Sequence, residues 1–247
     1  MQQFQIPRTY LSSSFAQSKD KSVHIFCDAS EKAIAAVAYI RARNNSGGKE
    51  LGFILGKSKV APVHGHTIPR LELCSAVLST QIAETIAHHL QLPICEFKFY
   101  TDSKVILGYI NNESRRFFNY VTNRVQKIRS CTHPHQWHYV HTDSNPADKG
   151  TRTLPASKIS DSTWIKGPAF LLEGDRKQNT NFDLQDPEID QEIRQEIQTC
   201  KTTVPDFVSV GHRFSRFSRW RNLIETIARL KHIAQTFTCK SECSGWH

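Results

Sequence analysis

The turn at residues 44–48 is the feature that most constrains how this chain can fold. Its sequence, Asn-Asn-Ser-Gly-Gly, is typical of a hairpin, because asparagine and glycine tolerate the positive φ angles that a tight antiparallel connection needs. The turn separates two apolar segments, 33–41 and 51–57, and a third such segment, 23–27, comes just before them. The sequence therefore predicts an antiparallel meander of three strands.

After the meander the pattern changes to alternating helices and strands. Pro69 begins a helix, at a position where proline is common, and Pro93 ends it. The further predictions are a strand at 97–100, helices at 104–110 and 117–128, a strand at 137–141, and a last helix that Asn145 could cap. A five-stranded mixed sheet flanked by helices is the expected α/β architecture.

Composition and charge divide the chain into five segments. We predict an N-terminal extension (1–20), the α/β domain (21–153), a proline-containing extension (154–172), an acidic linker (173–212) with a weak helix at 189–197, and a basic amphipathic helix with a tail (213–247). Nine acids and four bases between 173 and 206 give −5, so the rest of this +9 chain carries +14. A basic body favours a polyanionic partner, most commonly nucleic acid.

Several classes of protein are disfavoured by the same composition. The longest apolar run, 33–40, is far too short to span a bilayer, and the N-terminus lacks the pattern of a signal peptide, so no membrane partner is predicted. The seven cysteines are odd in number and irregularly spaced, which indicates a reducing compartment, the cytosol or the nucleus. No small-molecule cofactor is expected.

Four carboxylates lie where strands end or helices begin. Asp28 follows the first strand, Asp102 follows the fourth, Glu72 lies in the first turn of a helix and Asp148 in the first turn of the last helix. Ligand sites in open α/β sheets form beyond the ends of strands, so these side chains can converge on one edge of the sheet. Taken one by one, each could equally be a turn residue or a helix-end charge.

Converged carboxylates repel one another and stay ionised together only beside positive charge. Magnesium supplies that charge and prefers oxygen ligands. Two such ions, roughly 4 Å apart, can activate a water and stabilise the leaving oxygen when a phosphodiester is cleaved. The pattern therefore favours a pair of Mg²⁺ ions, with Mn²⁺ as a substitute, held by Asp28, Glu72, Asp102 and Asp148.

Four short motifs carry a resemblance to a known family. They are Val23-His24-Ile25-Phe26-Cys27-Asp28-Ala29-Ser30, Ile68-Pro69-Arg70-Leu71-Glu72-Leu73, Tyr100-Thr101-Asp102-Ser103 and Asn145-Pro146-Ala147-Asp148, followed by Trp164-Ile165-Lys166-Gly167-Pro168. In this order they resemble the ribonuclease H region of BEL/Pao retrotransposon polyproteins, over about residues 6–172.

The resemblance implies both a fold and an activity. The fold would be ribonuclease H-like, and the activity metal-dependent endonucleolytic cleavage of the RNA strand of RNA–DNA hybrids during reverse transcription. The four acids match the family's catalytic positions one by one. The partners would be the hybrid and other modules of a polyprotein.

Three other classes of protein can be compared with a ribonuclease H on the sequence alone. A catalytically silent module on the same fold, binding nucleic acid or serving a structural role, remains an alternative. An aspartic peptidase is disfavoured, because neither Asp-Thr-Gly nor Asp-Ser-Gly occurs. A transposase or integrase with acids in the order Asp, Asp, Glu is disfavoured, because the order here is Asp, Glu, Asp, Asp.

Other residues are candidates for supporting roles, each with a plain structural alternative. His141 could assist catalysis or simply end a strand. Ser30, Ser103 and Asn145 flank the acids and could touch the hybrid, although all three suit turns.

The helix at 117–128 is a candidate nucleic-acid contact. Arg124 and Lys127, with Arg115, Arg116 and Arg129 nearby, could bind nucleic acid or form a solvated basic face.

The C-terminal region offers two weaker signals. In 213–237, an apolar stripe (Phe217, Trp220, Ile224, Ile227 and Leu230) among arginines favours docking onto the main domain or onto a neighbouring module over membrane binding. Cys239, Cys243 and His247 offer only three zinc ligands, so a zinc site there is not favoured.

Overall fold

The computed structural model describes residues 9–18, 20–44, 46–62, 67–173, 182, 184, 189–194, 214 and 216–238. The chain divides into two compact units, Met1–Gln195 and Glu196–His247. The strands of the first unit are β1 (Asp20–Ala29), β2 (Ala33–Arg43), β3 (Lys49–Val60), β4 (Lys98–Thr101) and β5 (Trp137–Tyr139). Its helices are α1 (Ser13–Ala16), α2 (Ile68–Leu90), α3 (Lys104–Asn111), α4 (Asn119–Cys131), α5 (Asp148–Thr151) and α6 (Thr163–Lys166).

The five strands form one mixed sheet in the order β3-β2-β1-β4-β5. β1, β2 and β3 pair antiparallel, which confirms the meander, whereas β4 runs parallel to both β1 and β5. This order and mix are those of a ribonuclease H-like fold, as expected. Because β1 and β4 are parallel neighbours, their carboxyl ends meet at the same edge of the sheet.

The two faces of the sheet are covered differently, as the alternation of side chains along a strand requires. In β1, Val23, Ile25 and Cys27 belong to the larger core, which the sheet shares with α2, α3 and α4. Phe26 points to the opposite face, where its ring stacks on Tyr100 at a centroid distance of 4.5 Å. The strands that carry the acids are therefore buried on both faces.

The extension at 154–172 covers that second face. Trp164 lies against Gly56 of β3 and Gly150 of α5, and a Cβ atom at either glycine would overlap the indole ring. The Tyr39 hydroxyl donates to the main-chain oxygens of Thr163 and Trp164, at 2.9 and 2.8 Å. This extension is thus part of the packed domain, and α6 holds the short helix that carries Asp148.

Several element bounds differ from the prediction. α2 begins at Ile68, so Glu72 lies in its second turn, and the prediction of a first-turn position is wrong. β1 is longer than predicted because its pairing with β2 runs from Asp20 to Ala29. β5 ends at Tyr139, so His141 lies beyond the strand.

Asn145 is also placed differently from the prediction. Ala147 occupies the N-cap position of the last helix, and the side-chain Oδ1 of Asn145 accepts a hydrogen bond from the Ala147 main-chain nitrogen. Asn145 is therefore a turn residue ahead of α5 and not its cap.

Residues 189–194, which the sequence assigned to an acidic linker, belong to the first unit, pack against its core and contain no helix. Ile193 is 2% exposed in the main core and forms an antiparallel bridge with Phe117. Glu192 binds Arg70, and the Tyr109 hydroxyl donates to Asp190 at 2.6 Å. The helix prediction fails here because these tertiary contacts hold the segment extended; residues 195–197 lie outside the described residues. We call 189–194 the strap.

The second unit is described mainly by one helix, α7 (Trp220–Thr238). It confirms most of the helix expected at 213–237. The apolar stripe is exposed, for example at Trp220 (74%) and Leu230 (61%). None of the helices in the described part of the chain is long and apolar enough to cross a bilayer. The candidate zinc ligands Cys239, Cys243 and His247, which were not favoured as a site, lie outside the described residues, as do residues 1–8.

Candidate active site

The sheet edge gathers the acids as expected from their places in the sequence. Asp28 is the penultimate residue of β1, and Asp102 follows directly after β4. α2 crosses the face of β1 and brings Glu72 to the same edge, and α5 brings Asp148. All four are partly or largely buried.

Three neighbouring side chains hold these carboxylates in place. The Thr151 hydroxyl donates to Asp28 Oδ2 at 2.6 Å, and the Ser103 hydroxyl donates to Glu72. Asn145 Nδ2 donates to Asp102 Oδ1 at 3.4 Å and to the Cys27 main-chain oxygen at 3.0 Å.

Asn145 therefore connects the end of β1, the end of β4 and the turn before α5. Its side chain is used within the fold, since it is only 3% exposed. Neither Thr151 nor the Asp102 partner role of Asn145 was predicted. The sequence offers one indication of these roles, namely that residues with hydroxyl or amide side chains occur close to the acids.

Burial and mutual repulsion raise the pKa of two of the acids. Burial is the main cause for Glu72, whose pKa rises to about 7, and the charges of Asp102 and Asp28 add to it against the Ser103 hydrogen bond. The pKa of Asp28 rises to about 6, mainly by burial, with Asp102 and Asp148 adding to it against the Thr151 hydrogen bond. Asp28 is therefore within electrostatic range of the other three acids, and Glu72 within range of Asp28 and Asp102.

Asp148 differs from the other acids because cations lie beside it. Arg152 Nε is 2.6 Å from Asp148 Oδ1, and Lys149 Nζ is 3.4 Å from Oδ2. Arg152 is one turn further along the chain, and its role was not predicted. Among the residues that the structure describes, the ion pairs with the four acids are those of Lys149 and Arg152 with Asp148.

The donor set can be compared with what a divalent cation needs. Within the described residues, no three histidine, cysteine or acidic side chains are grouped closely enough to hold a metal ion as they stand. The chemistry nevertheless fits a hard cation, because all four side chains offer carboxylate oxygens. A bound cation would also favour the ionised forms of Asp28 and Glu72, which burial and the neighbouring acids disfavour. Small side-chain movements would have to complete such a site.

The auxiliary candidates His141, Ser30 and Ser103 each have a partner within the fold. His141 is exposed and pairs with Asp143, whose carboxylate is 3.3 Å from Nδ1. Ser30 forms the turn between β1 and β2, where its oxygen accepts from the Ala33 nitrogen at 3.1 Å, and Ser103 caps α3. The structure thus shows the structural roles, and the catalytic or substrate roles of these residues stay predictions.

The predicted nucleic-acid contacts lie on α4. The Arg124 guanidinium lies 3.5 Å from the centre of the Tyr120 ring, and Lys127 is exposed. Tyr120 in turn contacts Cys74 of α2, two residues after Glu72. Arg124 and Lys127 therefore lie on the flank of α4 that faces α2.

The raised pKa values predict how stability depends on pH when divalent metal is removed with EDTA. The folded chain holds protons on Glu72 and Asp28 at pH values where the unfolded chain has lost them, so the free energy of unfolding should fall as pH rises from about 5 to about 8. Glu72→Gln keeps a neutral group there and should be more stable than wild type at pH 8, by about 1–3 kcal/mol.

Thermal unfolding from pH 5 to 8 measures this effect. The exposed Glu113 offers a matched control, and Glu113→Gln should follow the wild-type profile. Magnesium added at pH 8 should stabilise the wild type more than Glu72→Gln. Identical profiles for wild type and Glu72→Gln would contradict the electrostatic account of the site.

The strand order and the acids at its edge define a ribonuclease H-like protein. Residues 1–103 match the family model described as the Pao retrotransposon-like RNaseH-like domain, which confirms the predicted resemblance. The match includes Asp28, Glu72 and Asp102, and Asp148 lies beyond it. No curated protein sequence matches the chain.

Solved structures similar to the chain include three ribonucleases H. RNase H1 from the halophilic archaeon Halobacterium salinarum is 10% identical, with a TM-score of 0.32 over 62% of this chain and 98% of that chain. LC11-RNase H1 in complex with RNA/DNA hybrid is 11% identical, with a TM-score of 0.35 over 53% and 92%. An N-terminal RNase H domain from Mycobacterium tuberculosis is 10% identical, with a TM-score of 0.33 over 60% and 91%. These values are too low to transfer a substrate or an activity.

Proposed function

We propose that this chain is a retrotransposon-derived endonuclease that hydrolyses the RNA strand of RNA–DNA hybrids during reverse transcription. One observation carries the proposal. Asp28 and Glu72 have raised pKa values, to which the charges of Asp102 and Asp148 contribute, at the edge where β1 and β4 end. Buried acids that repel one another in this way destabilise the fold, and such groups occur at functional sites that need concentrated negative charge.

The four carboxylates would hold the catalytic cations, Mg²⁺ or Mn²⁺. Bound there, two such ions would supply the positive charge that activates a water and stabilises the leaving oxygen. Thr151 fixes Asp28 through its 2.6 Å hydrogen bond, and Asn145 links Asp102 to the main chain of β1. These hydrogen bonds limit how far the carboxylates have to move when a cation binds.

The choice of a hybrid rests on the family resemblance together with charge. The chain carries +9 overall, and an RNA–DNA hybrid presents two phosphate backbones and the RNA 2′-hydroxyls. Arg124 and Lys127 on α4 and Ser30 near the acids are the residues we expect to contact it. Ser103 and Asn145 are proposed contacts that require their buried side chains to become accessible when the hybrid binds. His141 is proposed as an auxiliary group only.

The cellular setting is part of the same proposal. We expect the domain to work inside the cell, in the cytosol or the nucleus, beside the other modules of a retrotransposon polyprotein. Cys27, Cys74, Cys95 and Cys131 are free thiols, which is compatible with a reducing compartment.

A panel of labelled substrates tests the activity. With Mg²⁺, the chain should cut the RNA strand of an RNA–DNA hybrid at internal positions. It should leave single-stranded RNA, duplex RNA and duplex DNA of the same sequence intact. EDTA should stop cleavage, and Mn²⁺ should restore it. Cleavage of duplex DNA at a similar rate, or cleavage in EDTA, would contradict the proposal.

A silent module is the second candidate, and one observation favours it. Arg152 satisfies the charge of Asp148 without a metal, at 2.6 Å. A chain that binds the hybrid in the same panel, yet cuts nothing with either metal, would support this alternative.

A further inference from the structure

An open pocket of about 380 Å³ lies where the turn after α3 meets α4 and the strap. Four arginines line it: Arg115 and Arg116 from the turn, Arg129 from α4 and Arg194 from the strap. Glu113 is the one acid among the lining residues, so the lining carries a net charge of +3. Neutral hydrogen-bonding side chains, Asn119, Thr122 and Gln126, line it as well.

Main-chain contacts place Arg194 in this pocket. The Arg194 nitrogen donates to the Arg116 oxygen at 2.8 Å, and the Phe118 nitrogen donates to the Glu192 oxygen at 3.1 Å. Ile193 lies between Glu192 and Arg194 in the strap, and its buried side chain anchors both of them. A cation from far downstream in the sequence is thereby held beside the α3–α4 turn.

The side chains of the pocket are oriented by neutral groups. Arg129 donates to the main-chain oxygens of Ile110 and Asn112, at 2.7 and 2.6 Å from Nη2. Arg194 Nη2 donates to Asn119 Oδ1 at 3.0 Å. Among the residues that the structure describes, no carboxylate pairs with Arg116, Arg129 or Arg194. Their charge is therefore not neutralised within the described part of the fold.

We propose that this pocket binds a phosphate of the nucleic-acid strand, at a point separate from the carboxylate edge. Guanidinium groups match phosphate oxygens in geometry and charge, and several of them converge here. Beside the pocket, Phe118 is about half exposed and the Arg194 guanidinium lies 5.3 Å from the centre of its ring, so a sugar or base next to the phosphate meets an aromatic surface.

The pocket lies on a different flank of α4 from Arg124 and Lys127. It includes Arg115, Arg116 and Arg129, which the sequence also offered as basic residues near that helix. Asn119, Thr122, Gln126 and Arg129 follow each other at spacings of three and four residues and form one stripe. Tyr120, Arg124 and Lys127 form a second stripe on the α2 side. That the bound phosphate belongs to a nucleic-acid strand rests on the proposed function. That the pocket suits a phosphate rests on its arginines alone.

Binding measured in EDTA tests the pocket without any need for cleavage. Fluorescence anisotropy of the full chain with a labelled RNA–DNA hybrid is recorded at several KCl concentrations. Arg116→Glu and Arg194→Glu should each weaken binding by about tenfold and lower the salt slope by about 1, since each phosphate contact contributes a slope of that size. Arg194→Lys should keep most of the affinity.

Arg43→Glu is the matched control, because it makes the same charge change at a site that is not part of the pocket. Arg43 is the last residue of β2 and lies opposite Asp20 of β1 in the sheet. This variant should leave the affinity within about twofold of wild type. Thermal unfolding of each variant checks that the strap stays folded. Wild-type affinity in Arg116→Glu and Arg194→Glu, or an equal loss in Arg43→Glu, would overturn the proposal.

Two further outcomes separate this proposal from its neighbours. Inorganic phosphate, titrated calorimetrically, should bind weakly. If phosphate instead binds tightly, and the arginine variants lose that binding but keep their affinity for the hybrid, the pocket is a small-anion site. That result would overturn the proposal that it binds a nucleic-acid strand. A wild-type chain that fails to cut the hybrid, while the arginine variants still lose affinity, would refute the nuclease and support the pocket.

Discussion

Replacing Asp102 by asparagine is expected to abolish cleavage of the RNA strand while leaving the affinity for the hybrid in EDTA close to that of wild type. The charge of Asp102 acts on both Asp28 and Glu72. An amide has nearly the same shape but only one oxygen and no charge, so it cannot replace a carboxylate beside a divalent cation. We expect the rate to fall by at least about a thousandfold, in the range seen when a transition-state stabilising group is removed.

Single-turnover cleavage with Mg²⁺ measures the effect. Asp20 provides the control, because it is exposed and lies at the opposite end of β1 from Asp28, and Asp20→Asn should cut at nearly the wild-type rate. The loss of a negative charge should also lower the pKa of Glu72, so Asp102→Asn should be less sensitive to pH in EDTA than wild type. Hydrolysis that persists in Asp102→Asn would remove the carboxylate mechanism.

Ending the chain after Leu172 is expected to destabilise the domain strongly, although the family-like motifs all lie before that point. The truncation removes the strap, and with it the buried Ile193 and the partners of Arg70 and Tyr109. Loss of a buried isoleucine side chain alone costs about 2–5 kcal/mol, and unpaired polar partners add to it. A fall in Tm of about 10 °C or more follows for a domain of this size.

Thermal unfolding of chains ending at 172 and at 194 separates the strap from the rest of the C-terminal region. The longer fragment should keep most of the stability of the full chain. Ile193→Ala should lose about 2–4 kcal/mol, whereas Ile189→Ala, at a position that is 74% exposed, should be nearly neutral. Equal Tm values for the two fragments would show that the strap contributes nothing to the fold.

The parts of the fold predicted correctly are those governed by local patterns. Strand alternation and the turn at 44–48 predict the meander, and the helical stripe that includes Leu71, Ile82 and Ile86 predicts α2. The gathering of Asp28 and Asp102 follows from two parallel strands that end together.

What failed depends on distant contacts that no local pattern records. The strap contains acids that suggest a solvated linker, yet Glu192 and Asp190 are buried against partners about 80–120 residues earlier in the chain. The Arg152 partner of Asp148 and the arginine pocket depend in the same way on tertiary structure.

The indole of Trp164 has a consequence for engineering. Its ring can lie flat against the sheet only where positions 56 and 150 carry a hydrogen in place of a side chain. A designer who transplants residues 154–172 onto another scaffold of this fold must transplant both glycines with it. Position 150 also belongs to α5, so a methyl group added there would push on the turn of helix that holds Asp148. Positions 56, 150 and 164 are therefore sterically coupled. A larger side chain at either glycine requires a smaller side chain at position 164.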